Sequence, residues 1–123
     1  MANDDLVVAG DAEKREIYHL ACFHAQQAAE KMLKAYIIFL GRPVPKTHNL
    51  RELYERIVPK PSGISEFKES IKILDQYYIP TRYPDALPGS LPEGLPTARH
   101  AREALEDVEK LAAFIHIACS TTL

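Results

Sequence analysis

The chain has 123 residues, 46% hydrophobic and 26% charged, which fits one globular domain over residues 1–123 able to bury about two thirds of its unfolded surface. The formal charge of −2 gives no general attraction to nucleic acid or acidic membranes. Residues 31–60 depart from that mean, with Lys31, Lys34, Arg42, Lys46, Arg51, Arg56 and Lys60 against Glu52 and Glu55, a local balance of +5.

No period-2 alternation is long enough for a strand, and the pattern predicts helices throughout. The first covers residues 3 to about 13, with Asn3 as N-cap, Asp4 and Asp5 in the first turn, and a bend or break between residues 10 and 15 near Gly10. The second runs from about Glu16 to Leu40 and stops at Gly41, before Pro43 and Pro45. Its residues Tyr18, Cys22, Ala25, Ala29, Met32, Tyr36 and Phe39 form an a/d seam, while Leu20, Phe23, Ile37 and Ile38 lie outside it. A helix apolar so far round its circumference touches more than one neighbour.

The segment NLRELYERIVP reads as a short third helix, capped by Asn49 with Glu52 three residues on, and with Leu50, Leu53 and Ile57 facing inward. GISEFKESIKILDQYYIP is a fourth, with an inner stripe of Ile64, Phe67, Ile71, Leu74 and Tyr78. Thr97 caps a long last helix whose stripe is Ala101, Leu105, Val108, Leu111, Ile115 and Cys119. Before it lies PTRYPDALPGSLPEGLP, where proline recurs every fourth residue from Pro80 to Pro96 and forbids a continuous helix. Leu87, Leu91 and Leu95 are expected to pin this stretch to the bundle as an ordered strap. The predicted fold is all-α: a four-helix up-and-down bundle with a short extra helix and a long proline-rich loop before the last helix.

No nucleotide-loop, zinc-protease or nucleophile-elbow motif is present, and the five histidines are scattered, so neither metal nor cofactor is expected. Cys22 and Cys119 read as free thiols, AYIIFL is too short to span a bilayer, and MANDDLVV lacks the basic start of a signal peptide. No membrane association is expected, and the expected compartment is the cytoplasm. Two stretches could carry chemistry. His24, Gln27 and Lys31 stand in a row on the second helix, beside Gln26 and Glu30, with Glu30 and Lys34 spaced as a favourable pair. The row is either a solvated face or, given Leu20 and Phe23 at its edges, the wall of a contact surface or pocket. In TRYPDA, Arg82 and Asp85 either close a tight turn or leave Arg82 pointing outward beside Tyr78 or Tyr83, as nucleobase and phosphate recognition requires. Lys31 and Arg82 are then expected to converge on the phosphates of one ligand.

ACFHAQQAAEKMLKAYI, PKTHNLRELYERI and YYIPTRYPDALPG, in that order, resemble the HEPN domain family (higher eukaryotes and prokaryotes nucleotide-binding). The resemblance implies a helical bundle related to the substrate-binding subunits of nucleotidyltransferases. It also implies frequent dimerisation, a nucleotide or RNA ligand, and pairing with a minimal nucleotidyltransferase as a toxin–antitoxin system. The positions that match the family are His24, Gln27, Lys31, Lys46, His48, Arg82, Tyr83 and Asp85. Many relatives are metal-independent ribonucleases with an Arg-x(4–6)-His motif late in the bundle. Arg42 and His48 have that spacing here, but Pro43 follows the Arg and the pair sits early, so a binding role ranks above an endoribonuclease. Leu20, Phe23, Ile37, Ile38, Phe114 and Ile117, as surplus apolar groups, suggest a homodimer; a purely structural dimerising protein is the third reading.

Overall fold

The computed structural model describes residues 2–57, 63–78, 87–91 and 94–120. Among these are five α-helices: α1 (Ala2–Lys14), α2 (Tyr18–Phe39), α3 (Leu50–Ile57), α4 (Lys68–Asp75) and α5 (Ala98–Ser120). A 3-10 turn, Ile64–Phe67, leads into α4. No described residue lies in a strand, and the only pairing of that kind among them is an isolated bridge between Leu91 and Gly94. None of the described helices is long and apolar enough to cross a membrane.

Helix α2 is the centre of the bundle and packs against all four others. Its short side chains allow this, since Ala21, Ala25, Ala28 and Ala29 are completely buried and let neighbouring backbones approach. Helix α1 folds back along α2 as a hairpin. Arg102 in the second turn of α5 lies near Tyr18 at the start of α2, whereas Phe114 towards the end of α5 meets Tyr36 near the end of α2 edge-on, so α2 and α5 run in the same direction. The core runs continuously from Ala12 to Ile115 through all five helices.

The helix ends show where local rules prevail. Helix α1 passes through Gly10 unbroken and stops at Lys14. There Ile17 N–H reaches back to Ala12 O at 2.8 Å and Glu16 N–H to Glu13 O at 3.0 Å, with Glu16 at φ 63°. This Schellman ending uses Glu16 where glycine would be easiest, which is why α2 starts at Tyr18 rather than Glu16. Asn3 lies inside α1 and is no cap. Helix α2 ends the same way with glycine in place: Arg42 N–H bonds Ile37 O, Gly41 N–H bonds Ile38 O, and Gly41 has φ 75°. The expected Asn49 cap is present, its Oδ1 accepting Glu52 N–H at 3.1 Å. The Thr97 cap is reciprocal, because His100 N–H reaches Thr97 Oγ1 while His100 Nδ1 accepts Thr97 N–H at 3.0 Å. His100 thus takes the part of the Glu or Gln of a capping box.

Three apolar assignments change. Tyr77, not Tyr78, enters the core, because the chain beyond α4 tightens to i→i+3 bonds and stacks Tyr77 over Leu74. On α5 the buried stripe takes Ala104, with Leu105 and Cys119 only half-buried. Ile37 is fully buried rather than surplus. In the strap, Leu91 is buried while Leu87 and Leu95 remain exposed. What seats this segment on α2 is a hydrogen bond from His19 Nδ1 to Pro88 O at 3.0 Å, with Gly89 directly against the His19 carbonyl.

Candidate functional site: the cleft around His48

The polar row on α2 divides between two neighbours. On one side His24 Nδ1 and Lys31 Nζ both reach Asp5 on α1, at 3.0 and 2.6 Å. Asp5 is 8% exposed. Burial pushes its pKa up, but the Lys31 ammonium and His24 outweigh burial and hold the carboxyl below its usual range. The same hydrogen bond to Asp5 raises Lys31. A depressed carboxylate contributes stability above its unfolded pKa and loses it as pH falls through the folded value. Asp5→Asn should therefore cost about 1–2 kcal/mol near neutral pH, discounted for the exposure of Lys31. Chemical denaturation should show that difference shrinking as the solution is acidified below about pH 4. A constant difference down to acid-induced unfolding would contradict it.

On the other side the row holds a histidine. Glu30, only 6% exposed, accepts from Lys34 Nζ at 2.9 Å and from His48 Nδ1 at 3.0 Å. Gln26, fully buried, donates to the His48 backbone carbonyl at 3.2 Å and is itself held by Gln27 Nε2 at 2.7 Å. His48 is thus fixed by both ring and main chain, and its ring stacks on Tyr78 with centroids 4.8 Å apart. A carboxylate on Nδ1 sets the tautomer and turns Nε2 outward as the working nitrogen.

The outer side of His48 opens on a cleft of about 470 Å³ lined by Thr47, His48, Asn49, Arg51, Lys72, Asp75, Gln76 and Tyr78. Its floor is the start of α3, where Asp75 Oδ1 accepts Leu50 N–H at 2.8 Å and Thr47 Oγ1 accepts Asn49 N–H at 3.0 Å. Two cations, an aromatic face and an oriented imidazole meet there, a combination suited to a phosphate-bearing aromatic ligand.

Of the sequence-predicted residues, His48 is in the cleft and exposed Lys46 lies in the same turn. His24 and Lys31 are engaged with Asp5, and Gln27 supports Gln26. Arg82, Tyr83 and Asp85 lie outside the described residues. Arg42 Nη1 donates to the carbonyls of Arg56 and Ile57 at the end of α3, so Arg42 and His48 have different partners. Arg51 and Lys72 were missed as site residues, and Tyr78 was considered only as a neighbour of Arg82. Arg51 follows His48 by three positions and belongs to the basic segment, which was a usable signal. Nothing local to α4 marked Lys72. No three His, Cys, Asp or Glu side chains among the described residues form a possible metal site.

The family model of the HEPN domain matches residues 1–118. A Methanocaldococcus jannaschii protein named "Putative toxin MJ1304" is 28% identical over 93% of this chain and 80% of its own length. The crystal structure of TT1696 from Thermus thermophilus superposes with a TM-score of 0.76 at 36% identity, covering 95% of this chain and 91% of that one. The crystal structure of ST0689, an archaeal HEPN homologue, gives 0.74 at 28% identity, covering 97% and 92%.

Proposed function

Because the chain belongs to the HEPN domain family, we propose that it is a nucleotide- or nucleic-acid-binding module that works with a minimal nucleotidyltransferase on another chain. The name of the Methanocaldococcus jannaschii relative supports a place in a toxin–antitoxin pair. The reading rests on one observation, the cleft in which Arg51 and Lys72 stand beside the stacked His48 and Tyr78 rings. The cations supply charge-assisted contacts to phosphate, and the rings supply a stacking platform. Exposed Ile38 and Ile117 offer apolar surface for a homodimer.

Calorimetric titration of ATP and short RNA into wild type, Arg51→Ala and Lys72→Ala tests the reading. Each truncation should weaken binding roughly tenfold to a hundredfold, less so at high salt. No binding by the wild type, with or without the nucleotidyltransferase, would overturn it. RNA turnover in the presence of EDTA, lost in His48→Ala, would replace binding with cleavage.

A further inference from the structure

The cleft contains one imidazole, that of His48. His48 faces Glu30 and Lys34 from α2, Arg51 from α3, Lys72 and Asp75 from α4, and Tyr78 from the turn after α4. Its Nδ1 is held by the buried Glu30 carboxylate, which leaves Nε2 as the nitrogen available to the cleft. A phosphate oxygen in the cleft would stabilise a proton on Nε2. Arg51, Lys72 and Asp75 line the same cleft, and a dianion held by the two cations would add negative charge beside that nitrogen.

We infer that the cleft takes the terminal phosphate of a nucleotide, and that His48, backed by Glu30, takes up a proton from solution as the phosphate binds. The inference rests on the binding role proposed above and names the ligand group and the proton linkage of that same site. Arg51 and Lys72 are permanent cations for the phosphate, and Tyr78 offers its ring to the base. The fully formed imidazolium bridges Glu30 and a phosphate oxygen. An internal phosphodiester, with one charge and no terminal group, satisfies this arrangement less well than a chain end or a mononucleotide.

The test is calorimetry of adenosine 5′-monophosphate at about pH 7.5, where a phosphate monoester is already mainly a dianion and net uptake must come from the protein. Repeating the titration in buffers of different ionisation enthalpy gives the number of protons exchanged. The wild type should take up a measurable fraction of a proton per nucleotide. His48→Gln should bind roughly tenfold more weakly with no uptake. Glu30→Gln should lose most of the uptake, with its melting temperature as fold control, and adenosine without phosphate should bind with none. Nucleotide binding without proton uptake, or uptake undiminished in His48→Gln, would overturn the inference and leave the binding role standing. Binding that ignores Arg51→Ala and Lys72→Ala, or no binding at all, would overturn both.

Discussion

Gly89→Val is expected to lower stability by about 3 kcal/mol or more, beyond the effect of any surface substitution in this chain. Two independent causes act at this position. The backbone has φ 82°, where a β-branched residue is strained. A Cβ there would also fall 1.8 Å from the His19 carbonyl oxygen, a rigid part of α2 that cannot turn aside. The chain must then lift the strap, losing the His19–Pro88 hydrogen bond and the burial of Leu91. Gly41→Ala is the control, since Gly41 has φ 75° but nothing within 4 Å of the added carbon. It should cost only about 1 kcal/mol, the conformational share alone. Urea denaturation of the two variants separates clash from conformation. Equal losses would mean that the strap is not seated on His19.

Tyr77→Ala should cost about 3–5 kcal/mol, because it removes a ring only 1% exposed from the junction of α2, α4 and α5. The hydroxyl matters far less. Its partner is the Cys22 thiol, whose pKa burial pushes up to about 12, partly offset by that hydrogen bond. Burial likewise raises the Tyr77 phenol. Both groups are therefore neutral, and Tyr77→Phe should cost about 1 kcal/mol, the worth of one neutral hydrogen bond. The position carries functional weight too, since Tyr77 in the core is what leaves Tyr78 facing His48. Tyr77→Ala should consequently weaken nucleotide binding even at temperatures where the variant stays folded. Thermal melts paired with titrations would show both effects. A Tyr77→Phe variant as unstable as Tyr77→Ala would indicate that the hydroxyl, not the ring, holds this junction.

How legible the molecule was in its sequence depended on the range of the interaction. Gly41, Asn49 and Thr97 end or begin helices through bonds to residues a few positions away, and all three were readable. The a/d seam of α2 was readable from Cys22 to Tyr36 because periodicity is a property of one helix, although Phe39 at its end is exposed. Gly10 itself does not interrupt α1, because its cost of about 1 kcal/mol is smaller than what packing returns to α1 against α2, and the break falls after Lys14, inside the 10–15 range that the sequence marked. Burial of Tyr77 instead of Tyr78 was decided by a switch from 3.6 to about 3 residues per turn after Asp75.

By itself the sequence determined an all-helical fold, most of its stops and caps, and a polar row of His24, Gln26, Gln27, Glu30, Lys31 and Lys34 on one long helix. A helical wheel says which side chains share a face, because that follows from covalent geometry. It cannot say what faces them. Only the tertiary structure sent His24 and Lys31 to Asp5 and used Gln26 and Glu30 to hold His48 at the mouth of a cleft. The same packing brought Arg51, Lys72 and Tyr78 to its walls. Those partners come from separate helices and turns, and which of them meet is settled by how the apolar faces pack, since the core dominates the energy of the fold.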